Sequence, residues 1–191
     1  MKKLSLLSLF ILTGCSSTYQ LAPDDDGHTV SSGEGLSCLG TTVLPAEMSR
    51  FFDEIKDPEL LAQALGEPGK GKLCQGKVYQ SKPGTSVPLF RAWNSTNPNS
   101  KTGQWWAFYK PAGDIAVYRH DYEICYQWSP LDKMSQCHLK AGTKVVVGTG
   151  QSAVCSEYLT YPVSAKQQVF ITGGSSALSD CIDYTGVMSW R

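Results

Sequence analysis

Gly142-Thr143-Lys144-Val145-Val146-Val147-Gly148 is the stretch on which the fold turns. Residues 144–147 form the clearest strand in the chain. Their β-branched side chains are stiff at χ1 and suit a pleated, packed surface. Gly142 and Gly148 bracket the run as strand punctuation.

Further short β-type runs lie on either side, broken by Gly, Pro and Asn. Upstream they cover residues 78–79, 87–93, 104–109 and 115–118. Residues 122–128 read as a strand or equally as a helical turn. Downstream the runs cover residues 138–139, 158–161 and 168–171. Residues 94–103 read as a polar loop, and residues 148–152 as a Gly-rich hairpin turn rather than an anion-binding nest. No long helix follows that turn, so the dinucleotide fingerprint fails.

Helices are expected mainly ahead of the strands. Met48, Phe51, Phe52 and Ile55 fall three to four apart and predict a helix over residues 45–55. Asp57-Pro58 reads as an N-cap followed by Pro at the first helical position, Leu60, Leu61, Ala64 and Leu65 continue an apolar face, and Gly66 terminates it. Residues 67–76 are turn-rich, and the Gly-Lys-Gly at residues 69–71 lacks the ending of a P-loop. The expected class is α+β: short N-terminal helices followed by a mainly antiparallel β domain.

Composition narrows the function. Lys plus Arg number 17 and Asp plus Glu number 17, for a formal net charge of zero. No basic face or stripe stands out, which argues against nucleic acid as a partner. Residues 16–35 are polar and poor in apolar side chains, as a flexible tether would be. The Asp24-Asp25-Asp26-Gly27 run lacks the spaced ligands and terminal Glu of an EF-hand.

At the N-terminus, Lys2 and Lys3 precede a mainly apolar run over residues 4–12, which ends in Leu12-Thr13-Gly14-Cys15. The run is too short to span a bilayer and has the flanks of a signal-peptide core. Its last four residues resemble the lipobox of bacterial lipoproteins. That resemblance implies a signal peptide over residues 1–14, lipidation of Cys15, a tether over residues 15–35 and one periplasmic domain over residues 36–191. Ser16, in place of an Asp, implies sorting to the outer membrane with the domain facing the periplasm. Acyl chains anchor by burial of CH₂ groups, at about 0.8 kcal/mol each.

Of the seven cysteines, Cys15 is assigned to lipid. The other six, Cys38, Cys74, Cys125, Cys137, Cys155 and Cys181, are an even number in an oxidising compartment. Disulfides are therefore expected, with the connectivity left open. No CxxC or HxxxH spacing supports a zinc site, and no metal or cofactor is expected.

The densest stretch of chemically capable residues is 90–151. It contains Arg91, Trp93, Tyr118, Asp121, Glu123 and Trp128 besides the four residues taken as a candidate partner-binding set: Trp105, Trp106, Arg119 and His120. Aromatic and Arg side chains dominate binding hot spots. The alternative reading is that the rings fill the core. Trp105 and Trp106 are adjacent on an expected strand, so one ring faces the core and the other the surface or the helices. No catalytic residues are assigned. His120 and Asp121 point apart on a strand, and no Gly-x-Ser-x-Gly elbow occurs.

Two further resemblances bear on function. Leu89-Phe90-Arg91-Ala92-Trp93, Gly103-Gln104-Trp105-Trp106, Lys140-Ala141-Gly142-Thr143 and Gln168-Val169-Phe170-Ile171, in that order, resemble NAD-handling toxin domains of the ADP-ribosyltransferase type. The resemblance implies an early-strand Arg contacting the dinucleotide, at Arg91, and a late Glu polarising the ribose, at Glu157. The Ser-Thr-Ser element and the Gln/Glu-x-Glu pair of that pattern are missing, so catalytic roles are not carried over. The organisation, one small cystine-rich domain on a lipid tether, resembles periplasmic immunity lipoproteins that neutralise effectors of type VI secretion, including phospholipases. The leading expectation is thus a non-enzymatic, lipid-anchored binding protein, an inhibitor of a periplasmic toxin or lipase effector. The alternatives are an NAD-handling enzyme and a structural envelope lipoprotein.

Overall fold

The computed structural model describes residues 37–111 and 113–184. The signal peptide, Cys15 and the tether expected over residues 1–35 lie outside the described residues. Ten strands fall within them. In the largest sheet β6 (Lys144–Gly150) is central, between β2 (Leu73–Ser81) and β9 (Gln167–Ile171). β1 (Phe52–Glu54) extends this sheet beyond β2, and β4 (Trp105–Trp106) extends it beyond β9, with every pairing antiparallel. A second antiparallel sheet runs in the order β10 (Leu178–Tyr184), β5 (Lys133–Leu139), β3 (Val87–Trp93). β7 (Ala153–Ser156) and β8 (Leu159–Tyr161) make a small third sheet. The fold is β-rich and mostly antiparallel, with few helices.

The valines of β6 are fully buried. Neighbours on a strand face opposite ways. Val145 and Val147 enter the larger core with Val87, Leu89, Leu139 and Ile171, while Val146 enters a second with Leu60, Ala64 and Phe170. A strand covered on both faces shows an unbroken apolar run instead of alternation. The larger core lies between the two main sheets. Phe90 and Ala107 stitch their margins together through reciprocal backbone hydrogen bonds of 2.8 and 2.9 Å.

Helix α2 (Pro58–Ala64), the longer of the two front helices, forms as its cap predicts. The Leu60 N–H donates to Asp57 Oδ1 at 3.0 Å, and Leu60 and Ala64 bury against the second core. The front helix over residues 45–55 is corrected. Only α1 (Ala46–Ser49) is helical, and the chain then extends into β1. Phe52 is buried opposite Ser81 while Asp53 and Glu54 are exposed, so pairing with β2 overrides the helical spacing.

Residues 115–118 are not a strand either. They open α3 (Ile115–Asp121), whose Ile115 and Tyr118, with Tyr122 just past its end, face a small core while Val117 is exposed. Residues 122–128 form turns. Residues 148–150 are not a turn but the end of β6.

The six cysteines form three disulfides: Cys38–Cys74, Cys125–Cys155 and Cys137–Cys181. The second ties the segment after α3 to β7. Its loss, as Cys125→Ala with Cys155→Ala, is expected to cost about 2–4 kcal/mol through the freer unfolded chain. Thermal melts should then shift down by roughly 4–16 °C. A shift under about 2 °C would show that this bridge constrains little.

Candidate functional site

A cavity of about 350 Å³ opens where β3, β4 and β9 meet the segment after α3. β3 brings the first of its residues. Val87 and Leu89 point into the larger core, and by strand alternation Arg91 shares their face at the sheet's far end. Its Nε donates to the Ser100 carbonyl and its Nη1 to the Trp105 carbonyl, both at 2.6 Å. Arg91 thereby ties the 3₁₀ turn Pro98–Thr102 and the start of β4 to the cavity wall. Burial pushes its pKa down to about 10, so it stays charged at neutral pH. No carboxylate forms an ion pair with it among the described residues.

Glu123 comes from the opposite side. It leaves α3 in a left-handed conformation, φ 48°, and is 2% exposed. Gln168 Nε2, on β9, donates to its Oε2 at 2.8 Å. The neighbouring Ser164 hydroxyl donates to the Asp121 carbonyl at 2.7 Å. Oε1 has no hydrogen-bond partner among the described residues. Burial pushes the Glu123 pKa up to about 9, against the opposing pull of Ser164 and Gln168, and the Asp121 charge raises it further. At neutral pH this side chain is a carboxylic acid, able to donate as well as accept.

Gly150 makes room for that carboxyl. A Cβ there would overlap both carboxyl oxygens. Gly148, two residues earlier, makes room for the Gln75 carbonyl of β2. The Gly-rich run therefore serves close approach, to the β2 backbone at Gly148 and to the Glu123 carboxyl at Gly150, rather than a turn.

Aromatic rings supply most of the remaining wall. Trp105 packs on Phe170 at 4.9 Å between centroids, and Tyr118 on Tyr122 at 4.6 Å. Burial raises both tyrosine pKa values, that of Tyr118 to about 12, so both rings keep their protons at neutral pH. Trp106 is 3% exposed and donates its indole N–H to the Gly103 carbonyl at 2.7 Å. The Trp93 Nε1 is buried with no partner among the described residues. Trp128 is half exposed, and Lys70 and Lys72, on the turn before β2, complete the rim.

Of the four expected contact residues, Trp105 and Trp106 line the cavity together, while Arg119 and His120 do not. Arg119 donates to the Ile124 carbonyl at 3.2 Å and the Ser129 carbonyl at 2.6 Å, which holds the segment carrying Glu123 and Trp128. His120 is exposed, with its ring edge-on to Tyr161 at 6.1 Å. Arg91 is at the cavity, but Glu157 sits exposed in the turn between β7 and β8 and is not brought to it. The sequence assigns no role to Glu123 or to Gln168, which stands with Gln167 at the polar start of β9. Among the described residues no group of three or more His, Cys, Asp or Glu side chains is placed to hold a metal ion. No helix there is long and apolar enough to cross a membrane.

Comparison of the chain with protein-family models, with curated proteins and with solved structures finds no match in any of the three.

Proposed function

We propose that this protein is a lipid-anchored, periplasm-facing binding protein that takes a small molecule into the cavity beside Arg91. The observation that carries the reading is the coincidence, in one cavity of about 350 Å³, of a largely buried cation with buried polar groups that lack partners among the described residues. Small-molecule sites are concave and mostly apolar, with a few polar groups that fix orientation. The lipobox resemblance supports the anchor, and the disulfides suit an oxidising compartment.

Two other readings have an observation behind them. Tyr126, Trp128 and Tyr158 are 60%, 51% and 88% exposed around the Cys125–Cys155 bridge, which favours a protein partner such as a periplasmic effector. Arg91 at the cavity favours an NAD-handling site, in which case the purified protein would consume NAD and lose that activity on Arg91→Lys.

The protein drawn from its own envelope in mild non-ionic detergent, without reduction, is expected to carry a small molecule. Native mass spectrometry would read it as added mass beyond the acyl chains, released on unfolding. Bare protein bound to one effector in near-equal amounts would replace this reading with that of an inhibitor.

A further inference from the structure

The cavity is cationic although the chain as a whole is not. Lys70, Lys72 and Arg91 line it, against one acid, Glu123, which burial keeps neutral. The full chain has a formal net charge of zero, so the excess is local. Neither Arg91 nor Lys70 forms an ion pair among the described residues, and Lys72 Nζ donates only to the Gln63 carbonyl, at 3.1 Å. A largely buried guanidinium without a counter-charge is costly, and an incoming anion relieves that cost. Charge-assisted hydrogen bonds from a guanidinium to a carboxylate or phosphate are among the strongest available.

The rest of the wall selects for shape. Trp93, Trp105, Trp106 and Trp128 present apolar surface, and the buried Trp93 N–H lacks an acceptor among the described residues. Rigid rings favour a rigid planar guest, because stacking it forfeits little rotamer freedom on either side.

We infer that the cavity takes a planar ring compound bearing one anionic group, a carboxylate or a phosphate. Its ring lies among the tryptophans and its anion faces Arg91 and the two lysines. This rests on the cavity being the binding site, and the two ideas fail separately.

The test is calorimetric titration of the full lipidated protein in non-ionic detergent near neutral pH, corrected for titration into detergent alone. The probes are naphthoate, naphthyl phosphate, naphthol, naphthylmethylammonium and octanoate. At least one aromatic anion is expected to bind about tenfold or more tighter than naphthol, as hydrogen bonds to a charged group require. Naphthylmethylammonium should bind weakest, and octanoate more weakly than naphthoate. The order of naphthoate and naphthyl phosphate distinguishes carboxylate from phosphate.

Lys70→Gln, at an exposed rim position, should weaken the preferred anion by about threefold or more and leave naphthol unchanged. Arg91→Lys, which keeps the charge but loses the fork, should weaken the anion further. Naphthol binding as tightly as the better of the two anions would overturn the inference while leaving the cavity as the site. No binding by any of the five would overturn both.

Discussion

Gly148→Ala is expected to destabilise the protein by about 3 kcal/mol or more, among the largest losses any single methyl can cause. The residue lies opposite Gly76 where β2 and β6 pair at the centre of the five-stranded sheet. A Cβ at this position would overlap the Gln75 carbonyl oxygen and crowd the Gly76 Cα. These are backbone atoms, which no rotamer change can move aside. The strands must part, and with them the valines of β6 that separate the two cores. Gly142→Ala is the control. It also lies beside β6 and has φ 76°, yet nothing lies within 4 Å of a Cβ there. It should cost only the left-handed backbone penalty of about 1–2 kcal/mol. Urea unfolding of the oxidised proteins measures both, and equal losses would contradict the close-approach role of Gly148.

The second large effect is a fall in stability with rising pH that originates at Glu123. Its pKa is about 9 in the folded protein, against 4.5 as the ordinary value. Between those limits the folded protein holds a proton that the unfolded chain has released. The contribution is therefore fully present below about pH 4.5 and is lost as pH rises through about 9. Within that window it weakens folding by up to about 1.4 kcal/mol per pH unit. The groups around the carboxyl act in both directions: Asp121 opposes ionisation, while Ser164 and Gln168 favour it. Glu123→Gln keeps the shape and the acceptor for Gln168 but cannot ionise. The unfolding free energy of this variant, measured relative to wild type, should rise steadily from pH 5 to pH 9. A difference independent of pH would mean that the carboxyl is already ionised in the folded protein.

The frame of the fold was legible where a run has only one physical use. The three valines of β6 and the whole of β3 read as strands because β-branched and alternating residues fit nothing else as well. The errors fall where two periods coexist. In residues 45–55 a helical spacing of Met48, Phe51 and Phe52 hides a strand, because the pairing of Phe52 with Ser81 is invisible locally. In residues 115–122 the β-branched content hides a helical face formed by Ile115, Tyr118 and the capping Tyr122. Such ties are decided by partners distant in the chain.

The site follows the same logic. Arg91, Trp105 and Trp106 stand out by residue type, and all three line the cavity. The polar pair of Glu123 and Gln168 is 45 residues apart, and the glycine that makes room for Glu123 lies on another strand again. Nothing in local composition joins them. Arg119 and His120 drew attention by their chemistry, but α3 directs one to backbone carbonyls and the other to solvent.

The most direct test of the cavity as the binding site is the indole N–H region of the nitrogen–proton NMR spectrum, recorded while naphthoate is added to the oxidised protein. Tryptophan-to-phenylalanine variants assign Trp93, Trp105, Trp106 and Trp128. The expected result is that these four resonances shift together and saturate, with the Trp93 N–H moving most because it gains an acceptor. Saturable binding that leaves all four unmoved would place the site elsewhere and contradict the account.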